Sequence, residues 1–214
     1  MIINLGDWHD ADYASRWPND NKWKAEDEFG WMKRDAEDLN RIAPHARKVL
    51  VKGNHCDNPK GPGRLPEKIR DAVETCKRMI LEDVTKGWEI IEYSHRANYF
   101  LGPVVFRHGA EIGVYADEDQ AIQYGVTNNL VIGAHTHKLK QITEVIYKNK
   151  IPMRIWCANV GTGADFEKMQ YVNRLNIARW GRGLIIGDCN ASERKRAFMT
   201  RQWDAELLIH STAH

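Results

Sequence analysis

What is missing from this chain narrows it before any motif is considered. No apolar run approaches the length of a membrane-spanning helix, so an integral membrane protein is not expected. No basic, apolar, small-residue leader opens the chain, and a cytoplasmic protein is the expectation. Cysteine is scarce and widely spaced: Cys56, Cys76, Cys157 and Cys189 form no CxxC pair. They read as reduced thiols, not as a disulfide frame or a zinc knuckle. Charge of one sign is not in excess, and a formal net charge of +2 does not indicate nucleic acid as a partner. No repeat of fixed period and no low-complexity tract is present, so solenoid architectures drop out. What is there, 214 residues with 43% hydrophobic and 28% charged, is enough for one compact domain with a normal core.

The first half alternates strand and helix patterns. Ile2-Ile3-Asn4-Leu5 is a short apolar run ending at Gly6-Asp7, as a buried strand would. A polar, Trp-rich loop spans residues 11–21. Phe29, Met32, Ala36, Leu39 and Ala43 recur at steps of three and four, one face of an amphipathic helix that Pro44 closes. Lys48-Val49-Leu50-Val51 is the next strand and runs into Gly53-Asn54-His55. Residues 57–66 are loop, and Ile69, Val73, Cys76 and Ile80 again keep helical spacing.

The second half changes character. Residues 88–93, 99–101 and 104–106 are short β-type runs between turn residues. Residues 115–124 fit a helix, and Leu130-Val131-Ile132 is a strand entering Gly133-Ala134-His135. Residues 142–147 and 153–156 flank Lys148-Asn149-Lys150 as a hairpin, and 183–186 is a last strand. The chain therefore reads as an α/β domain over residues 1–190, with a mixed sheet or two packed sheets, and a C-terminal tail over 191–214 without an assigned element.

Four of these apolar runs end in metal-ligand residue types. INLG precedes Asp7, with His9 and Asp10 close by; VLVKG precedes Asn54-His55; PVVFR precedes His108-Gly109; LVIGA precedes His135-Thr136-His137. Ligands of α/β sheets collect where the carboxyl ends of strands converge, and core packing does not require Asp, Asn or His at four such ends. Carboxylate, amide and imidazole without thiolate suit Mn, Fe or Zn in a working site better than a structural zinc. Two such ions bridged by a carboxylate suit displacement at phosphorus, with a histidine outside the ligand set protonating the leaving oxygen.

The same residues resemble the calcineurin-like metallophosphoesterases, whose ordered motifs are D-x-H, GD-x-x-D, GNH-(D/E), H and GH-x-H. The residues that carry the resemblance are Gly6-Asp7-Trp8-His9-Asp10, Gly53-Asn54-His55, His108-Gly109 and Gly133-Ala134-His135-Thr136-His137. Asn159-Val160-Gly161 and Trp180-Gly181-Arg182-Gly183 are similar to the closing strands of phage-type members. The resemblance implies a four-layer fold, a two-sheet β-sandwich flanked by helices, and divalent-metal-dependent hydrolysis of phosphomonoesters or phosphodiesters. It further implies Asp7 as bridging carboxylate and Asn54, His108 and His135 as the remaining ligands of the second metal. His137 would reach the first metal, and His55 would assist the leaving group. One or two ions per chain follow, Mn first, with Fe or Zn as alternatives, and a phosphoester as substrate.

The chain departs from the pattern in one respect with consequences. Asp7-Trp8-His9 fits D-x-H while Gly6 to Asp10 fits GD-x-x-D, and the two overlap. Only one loop and one helix separate Asp7 from Asn54, which matches the interval between the second and third motifs. GD-x-x-D is therefore the expected match, with the strand bearing D-x-H missing. The alternative that this opens is a truncated, non-catalytic metal-binding module or subunit needing a partner to complete the site. Cys56 stands where an acidic residue commonly follows GNH, and Ala134 enlarges GH-x-H. His9 reads as a pocket neighbour and Asp10 as an orienting residue. Arg16 reads equally as a phosphate clamp or a surface arginine. Trp8, Trp17, Trp23 and Trp31 read as packing before they read as a substrate cleft.

Overall fold

The structure, a computed structural model, describes residues 1–9, 24–57, 67–102, 104–124, 130–148, 150–163, 180–190 and 195–202. The chain is α/β and forms two compact units, Met1–Ser94 and His95–His214. No helix among the described residues is long and apolar enough to cross a membrane.

The N-terminal unit runs β1 (Ile2–Asn4), α1 (Ala25–Ile42), β2 (Lys48–Val51), α2 (Asn54–Asp57), α3 (Glu67–Val84) and β3 (Glu89–Ile91). The strands form a parallel sheet in the order β1-β2-β3, with Ile3 beside Val49 and Leu50 beside Ile90. Parallel neighbours need a crossover, and helices supply it here. Val49, Leu50 and Val51 on the central strand are fully buried, as a strand covered on both faces must be. Helix α1 opens with Glu26, Asp27 and Glu28, which oppose the positive end of its dipole, and Asp27 Oδ2 accepts the Lys24 N–H at 3.0 Å. Its expected apolar stripe is the one that packs: Met32 and Ala36 join Leu50, Leu81, Val84 and Trp88, with Phe29 and Leu39 against them. Burying each large side chain of that cluster contributes about 1.5–3 kcal/mol.

Helix α3 is the expected helix, and Ile80 of its expected stripe packs against the same core. Its inward side carries Lys77, Leu81 and Val84, while Ile69 and Cys76 of the expected stripe are exposed. Lys77 is buried with its charge satisfied, since its Nζ donates to the main-chain oxygen of His55 at 2.9 Å.

The C-terminal unit contains β4 (Tyr99–Leu101), β5 (Val104–Phe106), α4 (Ala116–Tyr124), β6 (Leu130–Gly133), β7 (Leu139–Lys148), β8 (Ile151–Val160), β9 (Gly183–Asn190) and β10 (Lys195–Gln202). A five-stranded sheet has the order β4-β5-β6-β8-β7. Its inner strands β5, β6 and β8 are parallel, and both outer strands are antiparallel. The expected hairpin is β7–β8, closed by the pair Lys148–Ile151 with Lys150 at φ 66°. Val105, Ala121, Val131, Ile155 and Cys157 form the core between sheet and α4. The stretch left without an element after residue 190 includes β10, which pairs antiparallel with β9 over its whole length.

Candidate metal centre

In the N-terminal unit, the parallel register of β1 and β2 brings both carboxyl ends to one edge, so Gly6-Asp7 and Gly53-Asn54 leave the sheet side by side. The approach is close enough to forbid side chains. Gly6 has φ 87°, and a Cβ there would lie 2.2 Å from the Gly53 nitrogen and 2.7 Å from the Val51 oxygen. Asn4 Oδ1 accepts the Gly6 N–H at 2.9 Å and sets the turn. Asp7 then takes a left-handed backbone, φ 48°, and its Oδ1 accepts the His55 N–H at 2.8 Å. The two strand ends are thus tied by a charged acceptor, with Asn54 at the first position of α2 between them.

Behind this edge the surroundings are mixed. Cys56 is buried, and burial pushes its thiol pKa up, helped by the Asp7 carboxylate. His9 is buried beside Phe29, and burial together with the Lys77 cation lowers its pKa to about 4. Its imidazole is therefore neutral at pH 7. A cleft of about 430 Å³ nearby is lined by Lys52, Lys77 and Arg78 but also by Asp71, Glu74 and Glu92. Three cations against three carboxylates give it no preference for an anion.

In the C-terminal unit, His108 and His135 follow the neighbouring parallel strands β5 and β6. The Ala134 N–H donates to the His108 oxygen at 3.1 Å, which continues the pairing past the strand ends. His108 Nε2 and His135 Nδ1 stand 3.2 Å apart, with the rings edge to face. Two imidazole nitrogens at about 2.0–2.1 Å from one tetrahedral ion are separated by about 3.3 Å, so this spacing fits shared coordination. His108 is buried, and Arg107 beside it is fully buried over the Tyr124 ring, with Nη2 donating to the His95 oxygen at 3.0 Å.

The loop bearing His135 and His137 is strained. The Thr136 N–H donates to the Ala134 oxygen at 2.6 Å, closing a γ-turn centred on His135 at φ 63°. A γ-turn with positive φ at its centre is the rare, strained kind. His137 follows at φ 60°, its oxygen accepting the Gly181 N–H at 2.9 Å and its ring edge-on to Trp180. Among the described residues only four non-glycines have positive φ, namely Asp7, His135, His137 and Lys150. Three of the four are residues singled out as ligands, and left-handed strain of this kind gathers at functional sites.

Asp7 in one unit, and His108 and His135 in the other, each offer an atom of the kind a divalent ion takes. These donor types, like the Asn54 amide and the His137 imidazole, suit such an ion without thiolate. Asp10, Arg16, Trp17 and Trp23 lie outside the described residues.

Three polar side chains on or against α4 were not singled out as site residues from the sequence. Asp117 and Gln120 point into the fold and are buried, as is Asn159 on β8. Gln120 occupies the space that glycine leaves at two strand ends, since a Cβ on Gly109 would meet its Nε2 at 2.8 Å and one on Gly133 its Oε1 at 3.3 Å. The only advance signal was Asn159 within Asn159-Val160-Gly161; Asp117 reads in sequence as one more acid in a helix's first turn. Comparison with family models, with curated proteins and with solved structures gives no match to this chain.

Proposed function

We propose that this chain is a divalent-metal-dependent phosphoesterase acting on phosphomonoesters or phosphodiesters. The observation that carries the proposal is the concentration of left-handed strain on Asp7, His135 and His137, at strand ends that sequence motifs mark as ligands. Core packing gives no reason to strain those three residues. The 3.2 Å approach of the His108 and His135 nitrogens supports the same reading.

On this reading the chain is a phage-type member of the calcineurin-like metallophosphoesterases, with the two-sheet β-sandwich flanked by helices that the resemblance implies. Asp7, Asn54, His108, His135 and His137 would be the ligands, with Mn the first choice of metal, before Fe or Zn. A divalent ion supplies Lewis acidity toward the phosphoryl oxygens and makes water a nucleophile at neutral pH. Asp7 contributes negative charge, and its bond to the His55 N–H fixes where α2 begins. Lys77 holds the His55 oxygen from the other side, so the imidazole starts from a main chain anchored at both ends. As water adds to phosphorus and the ester P–O bond breaks, an imidazole nitrogen of His55 delivers a proton to the departing oxygen.

The test is equilibrium Mn²⁺ binding to metal-stripped protein, followed by hydrolysis of an aryl phosphate ester. Asn54→Ala and His135→Ala should each weaken Mn²⁺ binding by at least about tenfold and reduce turnover with it. Full activity in either variant overturns the ligand assignment.

A further inference from the structure

The strained turn at residues 134–137 must be held by something, because left-handed non-glycine residues persist only where their surroundings over-determine them. The holder is a buried polar cluster of Asn159, Asp117 and Thr136. Asn159 has no exposure at all, and its Nδ2 lies 2.7 Å from the Ala134 oxygen, 2.9 Å from Thr136 Oγ1 and 2.7 Å from Asp117 Oδ1. Its Oδ1 accepts the Gly161 N–H at 2.9 Å, which fixes the amide's orientation. Asp117 is 3% exposed, reaches Thr136 Oγ1 at 3.3 Å, and is balanced by Lys140 Nζ at 3.0 Å from Oδ2. The cluster thus grips the turn on both sides of His135, at the Ala134 carbonyl and at the Thr136 hydroxyl.

We infer that Asp117 and Asn159 are positioning residues that impose the γ-turn on His135 and so set the spacing of the His108–His135 pair. The inference deepens the phosphoesterase reading, and its consequence for metal rests on that reading; the grip on the turn does not. A buried carboxylate and a buried amide are a costly way to fill the space under a helix unless each hydrogen bond is used. Here every polar atom of both side chains has a partner, and two of those partners, the Ala134 oxygen and Thr136 Oγ1, lie in one turn.

The experiment compares the full chain with Asn159→Ala, Asp117→Asn and Thr136→Val in two assays. Thr136→Val keeps shape, the Asp117–Lys140 pair and Asn159, and so remains informative where the other two fold poorly. Glu118→Gln serves as control, because Glu118 shares Lys140 and does not touch the turn. Hydrogen exchange of residues 134–138 should accelerate in the three variants and not in the control. Mn²⁺ affinity should fall about 10- to 100-fold in Thr136→Val at an unchanged melting temperature, as loss of groups that orient ligands does. Faster exchange with no Mn²⁺ binding even by the unsubstituted protein upholds the grip and sinks the phosphoesterase reading. Exchange and Mn²⁺ affinity both unchanged in a folded Thr136→Val or Asn159→Ala overturns the inference.

Discussion

Replacing Gly6 by alanine tests the edge that presents Asp7, and the structure supplies its own control. Gly6 and Gly87 have nearly the same φ, 87° and 81°. A methyl group at Gly87 meets nothing within 4 Å, whereas one at Gly6 would lie 2.2 Å from the Gly53 nitrogen. Both substitutions incur the left-handed penalty of an L-residue, about 1–2 kcal/mol. Gly6→Ala adds the overlap with backbone atoms that no rotamer can relieve, about 1–3 kcal/mol more. The expected loss is therefore about 2–5 kcal/mol for Gly6→Ala against about 1–2 kcal/mol for Gly87→Ala. Urea unfolding with linear extrapolation separates these values. Exchange of the His55 amide should also quicken in Gly6→Ala, since its acceptor is the Asp7 carboxylate. Equal destabilisation by the two substitutions would refute the close approach of the strand ends.

Other expectations follow from burial. His9 has a folded pKa of about 4 against 6.5 for a free imidazole, so the unfolded chain takes up the proton first as pH falls. The metal-free protein should keep this contribution above pH 6.5 and lose up to about 3 kcal/mol as pH falls through 4. His9→Leu should flatten that slope, and an unchanged slope in the variant would contradict the assignment. Among the cysteines whose side chains are described, Cys76 is exposed while Cys56 and Cys157 are buried. Alkylation followed by mass spectrometry should modify Cys76 first, and equally fast labelling of Cys56 in folded protein would count against its burial. Met32→Ala on α1 should cost about 2–5 kcal/mol, because Met32 is 1% exposed in the core of the N-terminal unit. A loss below about 1 kcal/mol would mean that this cluster does not hold α1.

Much of this arrangement is legible in the residues. The apolar runs at Ile2, Lys48, Val104 and Leu130 are strands with the expected starts, and each delivers its Asp, Asn or His just past its end. Helix α1 was readable because its stripe is purely apolar and closed by Pro44. Helix α3 was readable as a helix, but its inward face was legible only in part, because it carries Lys77, which hydropathy assigns to solvent. Strand β10 was missed because Lys195-Arg196 and Thr200-Arg201-Gln202 give no alternation, and its pairing with β9 is a long-range fact. The cluster of Asp117, Asn159, Thr136 and Lys140 joins four positions far apart in the chain through side-chain bonds. No period or propensity encodes such a set, and only the fold brings it to one turn.

The proposed role of the strained strand ends is to hold divalent metal for phosphoester hydrolysis. Turnover of an aryl phosphodiester and its monoester counterpart by metal-stripped protein, with and without added Mn²⁺, tests it most directly. Hydrolysis is expected to require Mn²⁺, to disappear with chelator, and to fall in His108→Ala and His135→Ala. Folded protein that binds Mn²⁺ nowhere and turns over neither ester would contradict it.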